Sequence, residues 1–412
     1  MTEPAAADAV GRSGAASPAQ LRRAFPFLIA TTVSVHACMS VTRVSASLWV
    51  LREGYGEWTV GVLLSLFAIA PMLMAMWAGR LADRHGMHRP VGIAVLMGLF
   101  GALVALAGQG LWSIGLSCLL SGGALSVAAV AVQREAGMMA AEPSELKRIF
   151  GWLALGPALS NALAPLAAGV LIDHIGFRAA FGLAVALPLL AWACAQQIPR
   201  HRPRQQSAAA RARPAWDLLK SPALRHLLLL NVVLAAAWDA HSFVVPVVGH
   251  AKGLSASAVG LVLASFAVAA TVVRLAIIRW AERLDELTAL RAAMWLATLV
   301  LLIYTYLPGT AGLMLGSALL GLALGAVQPM VMAMLHQVTP ADRHGQALGI
   351  RMTATNGATV AMPVSFGLLA SASSLAAPLW LMAGLLFLSQ ASARALGRSR
   401  AEGAGAEAPP LS

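Results

Sequence analysis

Among the ionisable side chains within long apolar stretches of the sequence, where a charge is costly, four are candidates for function. They are His36, Arg43, Asp239 and His241. In hydrocarbon, burial favours the protonated form of a carboxylate, whereas a nearby guanidinium group favours the ionised form. A movement of Arg43 relative to Asp239 would therefore change the proton affinity of the carboxylate. Asp239 is the first candidate for a proton-coupling group, and a static salt bridge with Arg43 is the open alternative.

The two histidines titrate near neutral pH and are candidates for relaying protons. His36 lies seven residues before Arg43, so the two side chains would share one face of a helix. His241 lies two residues after Asp239. A histidine within a membrane span is also often a packed, hydrogen-bonded residue, and this alternative stays open for both.

Uncharged polar residues within apolar stretches are candidates for binding a solute through hydrogen bonds. Trp238 adds an aromatic surface on which a planar or amphipathic molecule could stack. The helical period places Trp238 on one stripe with Ser242, with Asp239 at the edge of that stripe and His241 turned away. The candidates for lining a substrate cavity are Asn161, Asn231, Trp238, Gln328 and Asn356. Taken singly, each also fits a contact between helices.

The elements that carry these residues are long apolar segments. The chain of 412 residues is 59% hydrophobic and 11% charged, with a mean hydropathy of +0.75, whereas soluble domains are about 25% charged. A helix needs about 20 apolar residues to cross a bilayer. Six such segments precede a polar stretch and six follow it. The sequence predicts an all-α membrane protein with about twelve transmembrane helices in two pseudo-symmetric six-helix bundles.

Composition divides the chain into five parts. A first tail (1–23), rich in Ala, Gly, Ser and Pro, lacks the order of a signal peptide and is predicted to be disordered and cytoplasmic. The first bundle follows (24–197), then a polar linker (198–225), the second bundle (226–394) and a second disordered tail (395–412).

The basic residues predict the orientation of the chain in the membrane. Of the 29 Lys and Arg residues, Arg52, Arg178 and Lys252 fall on one side of the apolar segments, Arg43 and Arg274 fall within them, and all others lie on the side of the linker and tails. By the positive-inside rule, both termini are cytoplasmic, as in a multi-pass protein of a bacterial inner membrane. This distribution accounts for the net charge of +12 without a nucleic-acid partner.

The short turn at 79–90, GRLADRHGMHRP, joins two apolar segments. Its glycines allow close approach of helices, its carboxylate can accept hydrogen bonds from a helix N-terminus, and its arginines hold it at the cytoplasmic side. The turn resembles the signature loop between helices 2 and 3 of the major facilitator superfamily. It departs from that pattern at Met87 and His88, where a basic pair is usual. The resemblance implies a conformational-switch loop made of Gly79, Asp83, Arg84, Gly86 and Arg89.

The resemblance also implies how the protein would work. Members of the superfamily are built from parallel repeats that rock around a site near the middle of the membrane, and their first and seventh spans line that site. A degraded copy of the turn at 278–283 fits such a repeat. The family's action is conformational, so we expect no enzyme active site, no metal and no cofactor, a proton gradient as the energy source, and a functional monomer in the lipid bilayer.

The fifth span carries a second pattern, with Gly156-Pro157 followed by Pro165 and Gly169. Small residues permit close helix packing, and each proline removes a backbone hydrogen bond and permits bending. The pattern is similar to the glycine-proline motif of proton-driven drug exporters, although Ser160 and Asn161 replace its usual paired glycines. A bent packing helix is the open alternative. The segment that follows, 171–178, resembles a generic turn of the superfamily and carries no information about substrate.

These observations predict a secondary transporter that moves a small organic solute by alternating access, outward in exchange for protons. The arginine that drug exporters often carry early in the fourth span is missing here. A proton-coupled importer of a small metabolite therefore stays open as an alternative. A transport-inactive membrane receptor is a third possibility, which binding without flux would reveal.

Overall fold

The structure is a computed structural model, and it describes residues 18–108, 110–139, 143–200, 215–280, 285–339 and 344–406. These residues form thirteen α-helices and no β-strand. The predicted linker core at 201–214 and the chain ends at 1–17 and 407–412 lie outside the described residues.

The first half of the chain forms six helices. Gly86, with a φ of 70°, and Gly176, with a φ of 112°, occupy left-handed backbone conformations in two of the tight turns between them. The helices are α1 (Pro18–Arg52), α2 (Glu57–His85), α3 (His88–Gly108), α4 (Leu111–Met138), α5 (Pro143–His174) and α6 (Phe177–Ala195).

The second half begins with a short 3₁₀ helix, Ala215–Lys220, and continues with seven α-helices. The Ser221 hydroxyl caps the first of these by accepting a hydrogen bond from the Leu224 backbone N–H. The helices are α7 (Pro222–Ala251), α8 (Ala256–Trp280), α9 (Glu286–Ile303), α10 (Gly309–Gly325), α11 (Val327–Val338), α12 (His344–Ala372) and α13 (Ala377–Ala406).

Within the described residues, eleven segments are long and apolar enough to cross a membrane. Helices α10 and α11 together form one of them, Gly309–Leu335, with a break at Ala326 just before Gln328 and Pro329. Helix α12 is not among the eleven, although its 29 residues would span a bilayer. Its polar residues lower its hydropathy, and it completes the predicted set of about twelve spanning elements.

The helices pack as two groups, α1–α6 and α7–α13. In the first group α1 packs against α4, α5 and α6, and α3 packs against α4 and α6. In the second group α7 packs against α12 and α13, and α8 packs against α10. The two groups meet along two seams, one between α5 and α8 and the other between α2 and α12.

The connections between the helices distinguish two ends of the helix groups, the linker end and the far end. The linker end carries the turn at Gly86 and residues 198–200, which precede the linker. The far end carries the turns at 53–56, 252–255 and 373–376. The helices alternate in direction between these two ends.

Two helices extend past the predicted segment boundaries. Helix α1 begins at Pro18, so residues 18–23 are helical rather than part of a disordered tail. Helix α13 continues to Ala406, beyond the predicted limit of the second bundle at 394. Both extensions are rich in Ala, Leu and Arg, which favour helix even where the segment is too polar to be recognised as a membrane span.

Candidate functional site

A small cavity of about 60 Å³ lies where the two helix groups meet. Its walls come from α1 and α5 of the first group and from α7 and α8 of the second. Sites for small organic ligands measure about 300–1,000 Å³, so this cavity would have to widen to hold such a ligand. The side chains that give it its chemistry are Ser40, Arg43, Asn161, Trp238, His241 and Phe266.

Arg43 of the first group lines the cavity, whereas Asp239 of the second group lies outside its lining. The Nε atom of Arg43 is buried and has no hydrogen-bond partner among the described residues, and Asp239 on α7 is only 7% exposed. Their charges interact electrostatically. They do not form an ion pair within 4.0 Å, unlike Arg52 with Asp173. The guanidinium group of Arg43 is therefore available to an acceptor in the cavity.

Aromatic rings form one wall of the cavity. The rings of Trp238 and Phe266 meet edge to face, with centroids 4.5 Å apart, and the Arg274 guanidinium lies 5.8 Å from the Trp238 ring centroid. Phe266 was not among the predicted cavity residues, because one apolar residue among many in α8 has no distinguishing signal in the sequence.

His241, which the helical period placed off the stripe of Trp238 and Ser242, also lies at the cavity. Its ring lines the cavity and stacks on Phe266, with centroids 4.2 Å apart. Its Nε2 atom lies 2.9 Å from the Ser317 hydroxyl, and the Tyr304 hydroxyl lies 2.6 Å from that same oxygen. His241 is three residues from Trp238, and the cavity extends far enough around α7 to include both.

The other candidate residues lie in different surroundings. His36 lies outside the cavity lining, with its Nδ1 atom buried and unpartnered within the described structure. Asn161 lines the cavity. Asn231 donates to the Thr355 hydroxyl at 2.7 Å and accepts a hydrogen bond from Arg351 at 3.4 Å. It thus joins α7 to α12 within the second group and does not face the cavity.

Two further candidates also lie away from the cavity. Gln328 is exposed at the start of α11, where the tenth span breaks, and Asn356 is half-buried on α12. Of the five predicted solute-binding residues, the structure brings together Asn161 and Trp238.

The glycine-proline segment of α5 remains one helix through both Pro157 and Pro165. A Cβ atom added at Gly156 would lie 3.0 Å from Thr32, so the missing side chain allows close packing on α1. The Ser160 hydroxyl lies 2.9 Å from the Val33 carbonyl oxygen of α1. Pro165 lines the cavity, so this segment both joins α5 to α1 and forms a wall.

At the far end, the seam between α5 and α8 is closed by backbone contact. A Cβ atom at Gly169 would overlap the backbone of Ala256. Asp173 accepts hydrogen bonds from the backbone N–H groups of Ala256, at 2.9 Å, and Ser257, at 2.7 Å. Its carboxylate also lies 3.4 Å from Arg52. A carboxylate at a helix N-terminus is favoured by the unpaired N–H groups there.

The seam between α2 and α12 is closed in the same way. A Cβ atom at Gly61 would overlap the backbone carbonyl of Pro363, and Gly367 of α12 lies against the backbone of α2. The Ser65 hydroxyl donates to the Val360 carbonyl at 2.6 Å. Backbone contacts and hydrogen bonds thus seal both seams at the far end.

Toward the linker end, glycines of α2 and α12 lose such contacts. Cβ atoms added at Gly79 of α2, or at Gly349 and Gly357 of α12, would have no neighbour within 4 Å. Met352 and Thr353 are exposed. The cavity is therefore closed at the far end, while these glycines of α2 and α12 lack such contacts at the linker end.

The predicted switch loop lies at this linker end. The backbone N–H of Gly86 bonds to the Ala82 carbonyl and ends α2, and Arg84 and Arg89 are exposed. The predicted contacts of the Asp83 side chain lie outside what the structure describes.

Comparison with known proteins adds a family match. The model of the Major Facilitator Superfamily matches residues 28–238 and 227–408, once in each half of the chain. The two matches together cover nearly all of the described structure.

Two curated proteins are similar to parts of the chain. A tetracycline resistance protein, class B, of Escherichia coli is 36% identical over 115 residues, which are 26% of this chain and 27% of that protein. A maltose permease of Geobacillus stearothermophilus is 31% identical over 207 residues, 49% of this chain and 50% of that protein. The chain thus aligns with half or less of the length of these relatives.

Solved transporter structures share the fold over nearly the whole chain. The nucleoside transporter NupG has a TM-score of 0.71 at 14% identity, with 90% of this chain and 98% of that chain covered. The peptide transporter POT in complex with sulfate has a TM-score of 0.73 at 15% identity, and the alignment covers 91% of this chain and 95% of that chain. A bacterial homologue of the lysosomal transporter Spinster, in an inward-facing conformation, has a TM-score of 0.72 at 13% identity, covering 94% and 99%.

Proposed function

Because the chain belongs to the Major Facilitator Superfamily, and is a multi-pass membrane transporter rather than an enzyme, we propose that it exports a small organic solute in exchange for protons. In this proposal the two helix groups rock around the cavity between them. The observation that carries the proposal is the composition of that cavity. Both groups contribute to it, and Arg43, whose Nε atom has no hydrogen-bond partner within the described structure, lines it and interacts electrostatically with the buried Asp239 just outside the lining.

Asp239 is the proposed carrier of the proton. In the low-dielectric interior a neutral carboxylic acid is favoured unless a positive charge is near. Arg43 belongs to the other helix group, so rocking would change the distance between the two side chains. The carboxylate would bind a proton when Arg43 moves away and release it when Arg43 returns. His241, which also lines the cavity, is the proposed relay, and His36 is a more remote candidate.

The cavity suits a planar or amphipathic solute. Trp238 and Phe266 offer aromatic surfaces for stacking. Asn161 and Arg43 supply hydrogen-bond donors on the opposite walls. The apolar surfaces would bind the body of the solute, and the few polar groups would fix its orientation.

The direction of transport rests on two supports. The excess of arginine and lysine near the linker end favours a cytoplasmic location for that end and for both termini in an inner membrane. The state described here is then closed to the outside. The local similarity to a tetracycline resistance protein, together with the glycine-proline segment of α5, supports export. We further propose that the monomer is the working unit and that the proton gradient supplies the energy.

Reconstitution into proteoliposomes tests this proposal. A panel of planar and amphipathic compounds is screened for movement driven by an imposed pH gradient. With Asp239→Asn, we expect solute exchange to continue, while accumulation driven by the gradient is lost, because the amide cannot carry a proton. Arg43→Ala should shift the pH dependence of transport. Glu53→Gln, which changes an exposed carboxylate at the far end, is the matched control and should behave as wild type. Intact gradient-driven accumulation in Asp239→Asn would overturn the coupling role.

Import together with protons is the second candidate function. The longer of the two curated alignments, 207 residues, is to a maltose permease. Inverted membrane vesicles separate the two directions, since an exporter loads such vesicles with solute when their interior is acidic. Solute binding without flux in any gradient would instead indicate a receptor.

A further inference from the structure

A second, larger recess lies away from the central cavity, on the first helix group at the linker end. It is a groove of about 620 Å³ between the linker-end parts of α2, α3, α4 and α6. None of its described lining residues belongs to the second helix group, so it is distinct from the proposed transport site.

The α3 wall of the groove continues into the membrane-facing surface of the protein. Arg89, Ile93, Leu96, Phe100 and Leu103 are spaced by three or four residues and share one face of α3. Leu96 is 65% exposed, Phe100 57% and Leu103 43%. In a helix that crosses a bilayer, such a stripe contacts hydrocarbon. The groove therefore opens sideways into the membrane at its deeper end.

The α6 wall shows the same arrangement. The Trp192 ring packs against Gly92 of α3, where an added Cβ atom would lie 3.3 Å from the indole. Leu189, one turn further from the linker end, is 51% exposed. Tryptophan is favoured at the boundary between hydrocarbon and head groups. The groove thus has an apolar floor at the depth where acyl chains begin.

The mouth of the groove carries an excess of positive charge. His85, Arg89 and Arg200 line it and are exposed. The Nε2 atom of His88 is buried without a hydrogen-bond partner in the described structure. The buried carboxylate of Glu135 also lines the groove and interacts with His88, so it offsets part of this charge.

We propose that this groove binds an anionic phospholipid from the leaflet at the linker end. Arg89 and Arg200 contact the phosphate, and the acyl chains lie along Leu96 and Trp192. Seven residues of helix separate Arg89 from Leu96, a rise of roughly 10 Å, which matches the step from head group to acyl chain. A neutral phospholipid fits the apolar floor equally well but gains less from the two arginines. Lipid bound here holds the turn between α2 and α3 at the membrane surface.

The test uses the full-length protein in nanodiscs that contain brominated phosphatidylglycerol or brominated phosphatidylcholine. Bromine quenches nearby tryptophan fluorescence, and the difference between wild type and Trp192→Phe isolates the signal of Trp192. We expect stronger quenching by phosphatidylglycerol. The double variant Arg89→Gln/Arg200→Gln should lower this preference roughly thirtyfold, as expected for the loss of two interfacial charges at about 1 kcal/mol each. Arg89→Lys/Arg200→Lys should keep it.

The control is Arg225→Gln/Arg394→Gln, which removes two exposed arginines of the second group and the same amount of charge. It should leave the stronger quenching of Trp192 by phosphatidylglycerol than by phosphatidylcholine unchanged. Equal quenching by the two lipids, or an equal loss in the control, would overturn the proposal. Displacement of phosphatidylglycerol by millimolar inorganic phosphate would also overturn it, because the site would then belong to a soluble anion.

Discussion

The two ends of the same helix pairs differ in how the two groups meet. At the far end, α5 touches α8 through the backbone at Gly169. There, α2 likewise touches α12 through the backbone at Gly61. At the linker end of the seam between α2 and α12, Cβ atoms added at Gly79 and Gly349 would have no neighbour within 4 Å. The difference shows that closure of one end does not require the helices to be in contact along their whole length.

The chemistry of the closed end suits repeated opening. It consists of backbone contacts and a few hydrogen bonds, such as Ser65 to Val360 and Asp173 to the start of α8. A hydrogen bond contributes about 0.5–1.5 kcal/mol net, so opening of the far end costs a few kcal/mol of interaction free energy. Substitutions at these contacts should therefore weaken the closed end step by step.

The largest effect is expected from Gly61→Val. The added side chain overlaps the backbone of Pro363, which cannot move independently of α12. Overpacking of this kind costs about 1–3 kcal/mol or more, so the far end should open and transport should fall at least tenfold. Spin labels at Tyr55→Cys and Ser374→Cys, after replacement of the native cysteines, report the opening as a longer distance.

The control for this variant is Gly384→Val on α13, where an added Cβ atom meets nothing within 4 Å. It should leave the label distance unchanged. If the Gly61→Val distance matched wild type, backbone contact would not be what closes this seam.

A smaller effect is expected from Asp173→Ala. The variant loses two hydrogen bonds to the N-terminus of α8 and the ion pair with Arg52, whose side chain is 41% exposed. Because the site is partly open to solvent, we expect the closed far end to lose about 1–2 kcal/mol of stability. This corresponds to roughly a tenfold rise in the far-end-open population. Labels at the far ends of α5 and α8 measure this population, and Glu53→Gln should leave it unchanged.

Ser65→Ala should lower the stability of the closed far end by about 1 kcal/mol, because it removes one hydrogen bond, to the Val360 carbonyl. The open population should rise about fivefold by the same measurement on α2 and α12. Thr353→Ala removes a hydroxyl that bonds only within α12, to the Gly349 carbonyl, and should have no effect. An equal response to both variants would contradict the contrast between the two ends.

The smallest effect is expected from Ser371→Ala. Its hydroxyl accepts a hydrogen bond from the Trp58 N–H at 3.2 Å and donates to Glu57 at 3.1 Å, in an exposed position where water replaces both partners. We expect less than a twofold change in the open population. A change as large as that of Ser65→Ala would show that exposed contacts also hold the far end closed.

The elements of the fold were largely predictable, because a membrane span is a local property. Runs of apolar residues predicted twelve spanning segments, and each lies on a described helix or, for the tenth, on α10 and α11 together. The break at Ala326 was not predicted, since Pro329 alone does not tell whether a helix bends or stops. The helical extensions at 18–23 and 395–406 were missed because they lie outside the apolar runs.

The site was less predictable, because it depends on contacts between distant segments. Asp239 and Arg43 were found as charges within apolar spans, a signal that the sequence carries by itself. The aromatic wall at Phe266 has no such signal. Asp173, within what the sequence marked only as a generic turn, proved to join α5 to α8. Asn231 was polar and mid-span, yet its partners are Thr355 and Arg351.

By itself, the sequence determined that this chain is helical, crosses a membrane many times and belongs among transporters, because hydropathy and short motifs are properties of neighbouring residues. Only the tertiary structure decided which helix faces meet. It placed His241 in the cavity, left Arg43 without an ion pair, closed the seams at one end only, and formed the charged groove at Arg89 and Arg200. These features depend on the relative positions of helices far apart in the chain, which packing fixes and local sequence does not.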